Sequence, residues 1–545
     1  MKFIASIIIF STLLNAQAIF EPVESDVYDF LESLSIKGVL TFDYEIKPLT
    51  RIEISKKILE AENNYAKLTE IDKELLNIYQ KDFAHEINLV KNNFGRETKA
   101  EFMVLDRNRK IRLFEYAAKD FSFFADPMLS LAIQSAADEK LIIRRNGFSF
   151  YGYALDNWAY SLNFYDNEES GNNLDMTKNL TPERGVSVTS VKNKSFEYDN
   201  VNASVGYYWN NGAVTLGKDY IKFGSGKNGS IILNDKAPSF PFIRLDYKPV
   251  DWLRLFYFHG FLISNVPDSS TYRASPVPGR NSISDIAKFI AFRSLSFYPS
   301  NNFSFAFGES IVYSDRIQPV YLIPVMFFRV ADHYLGTGKS SATGNAQLFA
   351  DASYTNPDIK SKFYGSIFID ELSLNNIFSG GNLSALGFTL GTQTIDPIFS
   401  NSSFNIEYTR INPFVYMNSE QAQIFTNDDY LLGHWIGSNG DLISINYKQF
   451  INHQINFSLS GWYSRKGKTE LPIEQYQTPY PDFLYGSKRY ETGIDFRLKY
   501  KPVSPISTEL FYSYIRTSDE LTGRTLTYKL GNNHYFGLTI SYGFY

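Results

Sequence analysis

The sequence predicts a mainly β protein: a large antiparallel transmembrane β-barrel preceded by a small α-helical bundle. From about residue 151 to the end, segments of roughly ten residues alternate a large apolar side chain with a small or polar one, which gives a strand two unlike faces. Aromatic residues make up 16% of the chain, and such a content suits the aromatic girdles at the two membrane interfaces. Between about residues 21 and 95 the apolar period is helical instead.

Four segments carry the two-residue period most clearly. Their large side chains are Trp158, Tyr160, Leu162 and Phe164; Phe303, Phe305 and Phe307; Ile455, Phe457, Leu459 and Tyr463; and Phe536, Leu538, Ile540, Tyr542 and Phe544. We expect these side chains to face lipid. The positions between them are mostly Asn, Ser, Thr, Ala and Gly, so we expect a wet lumen rather than a dry core.

The length of the chain limits the number of strands. At roughly 20–30 residues for a strand and its connection, the roughly 400 residues after about residue 150 hold roughly 14–20 strands, and about 18 is favoured. The polar stretches 166–197, 264–288 and 464–489 are expected to be extracellular loops, with short turns on the periplasmic side.

The N-terminus has the features of an export signal. Lys2 precedes an apolar run over residues 3–14, and Ala16 and Ala18 form a small-x-small cleavage pattern, so residues 1–18 are predicted to be a signal peptide. The run is too short to span a bilayer. Location in the outer membrane of a Gram-negative-type cell follows from the signal and the predicted barrel.

Composition excludes several classes of site. The chain has no cysteine, so disulfides, thiolate metal sites and a lipoprotein anchor are excluded. A net charge of −5 argues against nucleic acid as the main partner. Six dispersed histidines give no metal-ligand spacing, and the sequence predicts no metal and no cofactor.

Residues 19–98 are predicted to form a periplasmic helical bundle, and residues 99–545 the barrel. Val27 begins an i, i+3, i+4, i+7 series of apolar residues that ends before Gly38. Thr50 and Glu53 have the spacing of a capping box at the start of a second helix. A third helix is expected from about Thr69 to Lys91.

A glycine-rich segment, Gly224-Ser-Gly226-Lys-Asn-Gly229, matches the pattern G-x-G-x-x-G. A dinucleotide site would need a helix after the glycines, to direct its N-terminus at pyrophosphate. Because the strand-like run Ser230–Leu233 follows, we interpret the segment as a loop folded tightly against the barrel wall.

The sequence gives little support to an enzyme. The paired carboxylates at 370–371 and 428–429 mean little among 58 acidic residues, and they are best read as solvating or ion-pairing groups. His333 and His434 accompany no nucleophile elbow and no H-E-x-x-H motif. We therefore predict a non-enzymatic protein.

Polysaccharide binding fits the residues of the predicted loops. Aromatic rings stack on the C–H faces of sugars, and amides, carboxylates and guanidinium groups hold their hydroxyls. The candidate glycan-binding residues are His434, Trp435, Arg465, Tyr476, Tyr480, Tyr485 and Arg489. The loop tyrosines could equally form the upper aromatic girdle.

Three passages resemble the Wzi family of capsule-assembly outer-membrane proteins. The passages are the helical region from Pro22 to Arg51, the strand and glycine-rich loop from Gly217 to Pro238, and the segment Leu432–Asp441. In the second passage the family-like positions are Gly217, Asp219, Gly224, Gly226 and Gly229. Phe223 and Ser225 stand where the family often has Trp and Pro.

The resemblance implies a many-stranded barrel whose periplasmic mouth carries a helical bundle. It also implies that the protein binds or organises capsular polysaccharide or exopolysaccharide at the cell surface. Outer-membrane lipid, the polysaccharide and the periplasmic export machinery are the expected partners. The helical region also resembles an S-layer-homology module, so a diffusion porin tethered to the cell wall is the alternative.

Overall fold

The structure is a computed structural model of the 545-residue chain. It describes residues 19–42, 44–91, 98–106, 109–118, 120–155, 157–277, 279, 281–336, 344–372, 384–469, 471, 473–474 and 480–544. The predicted signal peptide lies outside the described residues, and so does Tyr476.

Within the described residues, eighteen antiparallel strands close into a barrel, as the sequence predicts. We number these barrel strands β1 Phe121–Ala136, β2 Glu139–Ala154, β3 Trp158–Gly171, β4 Ser195–Trp209, β5 Gly212–Asp219, β6 Phe240–Val250, β7 Leu253–Leu262, β8 Lys288–Ser300, β9 Phe303–Ser314, β10 Asn345–Asn356, β11 Ser361–Leu372, β12 Ser384–Ile395, β13 Ser402–Ile411, β14 Gly440–Phe450, β15 Ile455–Lys466, β16 Arg489–Val503, β17 Ile506–Asp519 and β18 Gly531–Tyr542. β18 pairs with β1 from Tyr542 opposite Leu129 to Tyr535 opposite Ala136, which closes the barrel.

The remaining short strands lie outside this ring. A hairpin of Thr98–Val104 and Arg112–Ala117 pairs with the first residues of β1. Val188–Lys192 pairs with β4, and Pro267–Arg273 pairs with Ser282–Asp285. Two-residue strands pair Ile46–Lys47 with Lys222–Phe223, and Thr426–Asn427 with Tyr430–Leu431.

The barrel has two unlike ends. Short connections such as 155–157, 210–211, 251–252 and 301–302 join strands at one end, which we call the turn end. Long connections such as 172–194, 263–287, 315–344, 412–439 and 467–488 lie at the other, the loop end. The predicted loop stretches 264–288 and 464–489 match two of these connections to within three residues. The stretch 166–197 overlaps a third, but its residues 166–171 and 195–197 belong to β3 and β4. This asymmetry is typical of outer-membrane barrels.

The outward faces follow the predicted alternation. Phe303, Phe305, Phe307, Leu459, Tyr463, Phe536, Leu538 and Ile540 are all exposed on the outer wall. Phe544 departs from the expected phase. The strand ends at Tyr542, Gly543 takes a φ of 78°, and Phe544 turns to the lumen, where its ring lies 5.2 Å from that of Tyr165.

The expectation of a wet lumen is wrong for one side of the barrel. There, β6, β7, β8, β10 and β11 direct aromatic side chains inward, and these surround a chain segment that enters from the loop end. The buried cluster includes Ile231, Ile232, Leu233, Phe242, Phe256, Phe258, Phe292, Phe349 and Phe368. The positions between the large side chains of those four segments are small or polar except for Trp462, so they do not reveal this dry sector.

The N-terminal region is helical, with α1 Val27–Ile36, α2 Arg51–Asn63, α3 Glu70–Asp82 and α4 Ala84–Val90. The capping box of Thr50 and Glu53 is confirmed. The predicted single third helix is wrong: it divides at Phe83, whose φ of −109° and ψ of 18° leave the helical range. The buried Phe83 ring lies under the Arg51 guanidinium, 3.9 Å from its centroid. A separate helix, α5 Phe328–Gly336, follows β9.

The helical bundle sits at the turn end and contacts the barrel around its rim. Thr69 donates to the side chain of Asn401 at 2.7 Å, in the turn before β13. Tyr153 of β2 donates to Glu86 at 2.8 Å. None of the helices among the described residues is both long and apolar enough to cross a membrane.

Candidate functional site in the barrel lumen

The glycine-rich segment folds into the lumen, as a loop without a following helix. We call residues 220–239, between β5 and β6, the inward loop. Gly224 and Gly229 have φ values of 116° and 130°, which L side chains rarely adopt. The sequence interpretation as a tight loop therefore agrees with its backbone geometry, although the loop crosses the lumen and does more than line the wall.

Two inward carboxylates hold the backbone of this loop. Asp351 of β10 accepts from the Ser225 amide at 2.9 Å and from the Ser225 hydroxyl at 2.7 Å. Glu407 of β13 accepts from the amides of Lys227 at 2.6 Å and Asn228 at 3.0 Å. Both carboxylates are buried, and charge-assisted bonds of this kind are about twice as strong as neutral ones.

The tip of the inward loop packs against a second loop, residues 412–439. Trp435 donates its indole N–H to the carbonyl of Asn228 at 2.6 Å. A Cβ on Gly229 would lie 2.9 Å from the His434 ring and 3.1 Å from Trp435 Cδ1, so only glycine fits there without displacement.

His434 is fully buried at this contact. Its Nδ1 accepts from the amide of Ile436 at 3.2 Å, which places the ring proton on Nε2. Nε2 has no hydrogen-bond partner within the described part of the chain. Burial, with a smaller contribution from the Lys222 ammonium, lowers the pKa of His434 to about 3. The ring is therefore neutral at physiological pH.

The base of the inward loop meets the helical bundle. Phe223 pairs with Ile46, and the Gly224 amide donates to the carbonyl of Glu45 at 2.8 Å. Glu32 of α1 accepts from Lys227 of the loop, and from Lys362 of β11 at 3.2 Å. Burial raises the pKa of Glu32, but these two ammonium groups outweigh it and hold the pKa well below its usual range.

Opposite the dry sector, the lumen holds a cavity of 2320 Å³, which we call the lumenal cavity. The helical bundle lines one end of it, residues 173–187 and 524–529 line it at the loop end, and Trp435 lines it beside the inward loop. Its walls come from the strands β14 to β18 and β1 to β5. The wall side chains are largely Ser, Asn, Thr and charged groups, including Ser161, Asn163, Asn446, Ser460, Thr539 and Ser541.

Charged groups crowd both ends of the lumenal cavity. At the turn end Asp26 accepts from Lys499 at 3.0 Å and from Lys501. Burial opposes ionisation of Asp26, but the lysines prevail and hold its pKa well below the usual range. At the loop end Lys178 lines the cavity. Lys236 is buried next to it: burial lowers the pKa of Lys236 to about 8, and its ammonium donates to the Lys178 carbonyl at 2.6 Å.

The structure separates the candidate glycan-binding residues. Trp435 and Arg489 line the lumenal cavity, and Arg489 is paired with Glu491. Arg465 lies on the outer face of β15, in phase with Tyr463, and bonds to Asp441 at 2.9 and 2.5 Å.

The two described loop tyrosines lie together outside the lumenal cavity. Tyr480 and Tyr485 are half-buried, and their ring centroids lie 5.3 and 6.4 Å from that of Phe414. The Tyr480 hydroxyl donates to the carbonyl of Pro413 at 2.9 Å. In the glycine-rich signature, Gly217 lies in β5, and Asp219 lines the lumenal cavity at the end of that strand.

Sequence reasoning missed the residues that fix the inward loop. Asp351, Glu407 and Glu32 act on it from sites more than 120 residues away in the chain. A weak signal was present: Asp351 and Glu407 are acidic residues at inward positions of strands, where small or uncharged side chains prevail. Such positions in a barrel mark groups that pair within the lumen.

The closed barrel, the internal loop and the helical bundle at the turn end define an outer-membrane β-barrel with an occupied lumen. The family model of capsule assembly protein Wzi matches residues 84–520. The chain therefore belongs to the Wzi family and is a protein of the outer membrane.

The solved structure of Wzi from Escherichia coli has the same fold. It is 13% identical, with a TM-score of 0.57, and the match covers 97% of this chain and 100% of that one. OprD from Pseudomonas aeruginosa is 11% identical with a TM-score of 0.43, covering 77% of this chain and 94% of that one. OccAB1 from Acinetobacter baumannii is 11% identical with a TM-score of 0.43, covering 82% and 98%. No curated protein matches the sequence.

Proposed function

We propose that this barrel binds or organises capsular polysaccharide or exopolysaccharide at the cell surface, as a non-enzymatic, lectin-like protein. The turn end and the bundle of residues 19–98 face the periplasm, and the loop end faces outward. Support comes from the family and from the E. coli relative, which is described as a carbohydrate-binding β-barrel involved in group 1 capsule assembly.

The observation that carries the proposal is the chemistry of the lumenal cavity. Hydroxyl, amide and charged side chains line it together with aromatic rings, among them Trp435, Trp462 and Tyr165. This is the combination that sugars require. Each sugar contact is weak, but contacts repeated along one polymer add to a strong attachment.

The alternative, a diffusion porin, is disfavoured by what lies inside the barrel. The inward loop and its aromatic neighbours fill one sector, and the helical bundle lies across the turn end of the other. A porin of this diameter keeps an aqueous channel. Planar bilayers distinguish the two: the lectin-like barrel passes almost no ions, whereas stable unit conductance would favour the porin.

Binding is tested with the purified protein in detergent and purified surface polysaccharide. Trp435→Ala should reduce retention of the polymer, and Tyr480→Ala should do so if the loop tyrosines contribute. Tyr463→Ala, which removes an aromatic side chain from the lipid-facing side of β15, is the matched control. Retention equal to wild type in both test variants would remove Trp435 and Tyr480 from the site.

A further inference from the structure

A segment of the β9–β10 connection lies against the outside of the barrel. Residues 317–336, which we call the external strap, contain a 3-10 turn at Pro319–Leu322 and helix α5. Its inner side packs on outward-facing residues of β7, β8 and β9. The buried members of this contact are Tyr257, Phe289, Ala291, Ile311 and Tyr313 on the wall, and Tyr321, Phe328 and Ala331 on the strap.

The external strap covers an ion pair on the outer wall. Arg293 of β8 and Glu309 of β9 approach to 3.4 Å, and Glu309 is in phase with the lipid-facing Phe305 and Phe307 on the same strand. Neither side chain points into the lumen. The wall thus carries two charges at positions where the alternation predicts apolar residues.

The register places this pair inside the lipid-facing band. Arg293 and Glu309 lie opposite each other, and the pair is flanked on the outer face by Tyr257 of β7, opposite Arg293, and by Leu348 of β10, opposite Glu309. The flanking side chains are thus aromatic or apolar. A charged side chain on the lipid face of a barrel is destabilising, most of all near the bilayer midplane. Something must therefore shield the pair from the acyl chains.

The backbone of the external strap supplies that shield. The amide of Phe328 donates to Glu309 at 2.7 Å, and Arg293 donates to the carbonyl of Val325 at 3.0 Å. The Arg293 guanidinium also lies 4.4 Å from the ring centroid of Phe327. Each side chain of the pair thus has a hydrogen-bond partner in the strap backbone. We call the Arg293–Glu309 pair with these two bonds the latch, because it holds the strap against the wall.

The opposite side of the external strap exposes a group of apolar side chains, with the exposed Arg329 among them. The exposed fractions are 68% for Val325, 59% for Phe327, 68% for Val330 and 80% for Tyr334. Apolar side chains grouped in this way and this far from any core mark an interaction surface. They are continuous with the apolar outer wall on which the strap lies, and that wall already faces acyl chains.

We propose that the external strap is embedded in the outer leaflet, with Val325, Phe327, Val330 and Tyr334 in contact with lipid acyl chains and the Arg293–Glu309 latch holding it in place. This connection is then a membrane-docking surface, and it does not contribute to glycan binding at the loop end. The inference does not depend on the proposed function, because it concerns only the outer wall.

The absence of cysteine allows a direct test with single labels. Val330→Cys carries a nitroxide in vesicles of phospholipid, with Phe305→Cys as the lipid-facing control and Ser269→Cys, in an exposed loop-end strand, as the aqueous control. We expect the label at 330 to be accessible to oxygen and protected from an aqueous nickel chelate, as at 305. A label at 330 that behaves like the one at 269 would overturn the proposal. Dipolar broadening between labels at 330 would overturn it in favour of contact with a second copy.

The latch has its own test in the same background. Glu309→Ala should increase the mobility and the nickel accessibility of the label at 330, and leave the label at 305 unchanged. If mobility at 330 does not change while the barrel stays folded, the Arg293–Glu309 pair does not hold the strap.

Discussion

Acidification should loosen the contact between the inward loop and the 412–439 loop, because His434 is buried there as a neutral ring. Its pKa lies near 3 in the closed structure and near 6.5 when the loop opens to water. A group whose pKa is depressed by folding resists protonation while it is buried. The open state therefore gains protons, and the closed state loses stability, as pH falls below about 6.5.

The magnitude follows from the difference between these two values. At pH 5 the exposed imidazole is almost fully protonated while the buried one is still neutral, which favours opening by about 2 kcal/mol relative to pH 7.5. The population of the open state should rise about 30-fold. Below pH 3 the effect reaches its limit, because the buried ring then also binds a proton.

Hydrogen exchange of the peptide that covers residues 430–440 measures this opening, after correction for the intrinsic pH dependence of exchange. His434→Asn is the matched variant, since an amide oxygen can accept the Ile436 N–H and does not titrate. We expect a steep rise in exchange below pH 6.5 in the native protein and a flat profile in the variant. Equal profiles for both proteins would refute the reasoning.

Three further outcomes are expected. Gly229→Ala should expose the inward loop to limited proteolysis more than Gly523→Ala, since both residues have a positive φ but only a Cβ at 229 meets other atoms; equal cleavage would contradict this. Arg51→Met should destabilise the helical bundle by about 3–5 kcal/mol, because it leaves Glu86 charged and buried; hydrogen exchange in α2 to α4 reports it, and Glu86→Gln added to it should restore part of the loss. Deletion of residues 21–95 should leave membrane insertion intact and alter polysaccharide binding; failure of the barrel to assemble, seen by heat-modifiable migration, would rule out a purely functional bundle.

The features that the sequence predicts well are those decided by near neighbours. Alternation along a strand assigns Phe305 and Leu459 to the outer wall because a one-residue shift of register would exchange the two faces. The cap at Thr50 is readable because both partners lie within one turn of helix. Phe83 shows where near neighbours are not enough. Its position in the apolar series of the helix suits one continuous helix, but its ring packs under Arg51 and the chain divides there into α3 and α4.

The features that escape the sequence depend on distant partners. The segment Gly224–Gly229 is readable as a loop, but its entry into the lumen depends on Asp351, Glu407 and Trp435, which lie far along the chain. Likewise, Glu309 points outward on β9, where a lipid-facing wall calls for an apolar residue. Only the packing of α5 against it explains the charge. In both cases a polar group at an unexpected strand position signals a partner without identifying it.

The division of the lumen into a dry and a wet sector follows from the inward loop itself. Ile231, Ile232 and Leu233 have no exposed surface, and a polar wall beside them would lose its water without gaining hydrogen bonds. The strands that they face must therefore direct aromatic side chains inward, whereas the strands across the barrel are free to keep Ser, Asn and charged groups. Trp435 stands at the border, bonded to the loop on one side and open to the lumenal cavity on the other. A ligand that displaces Trp435 would break its bond to Asn228, next to Lys227, whose ammonium meets Glu32 of the bundle. The inward loop thus contacts both Trp435 at the edge of the lumenal cavity and Glu32 of the helical bundle.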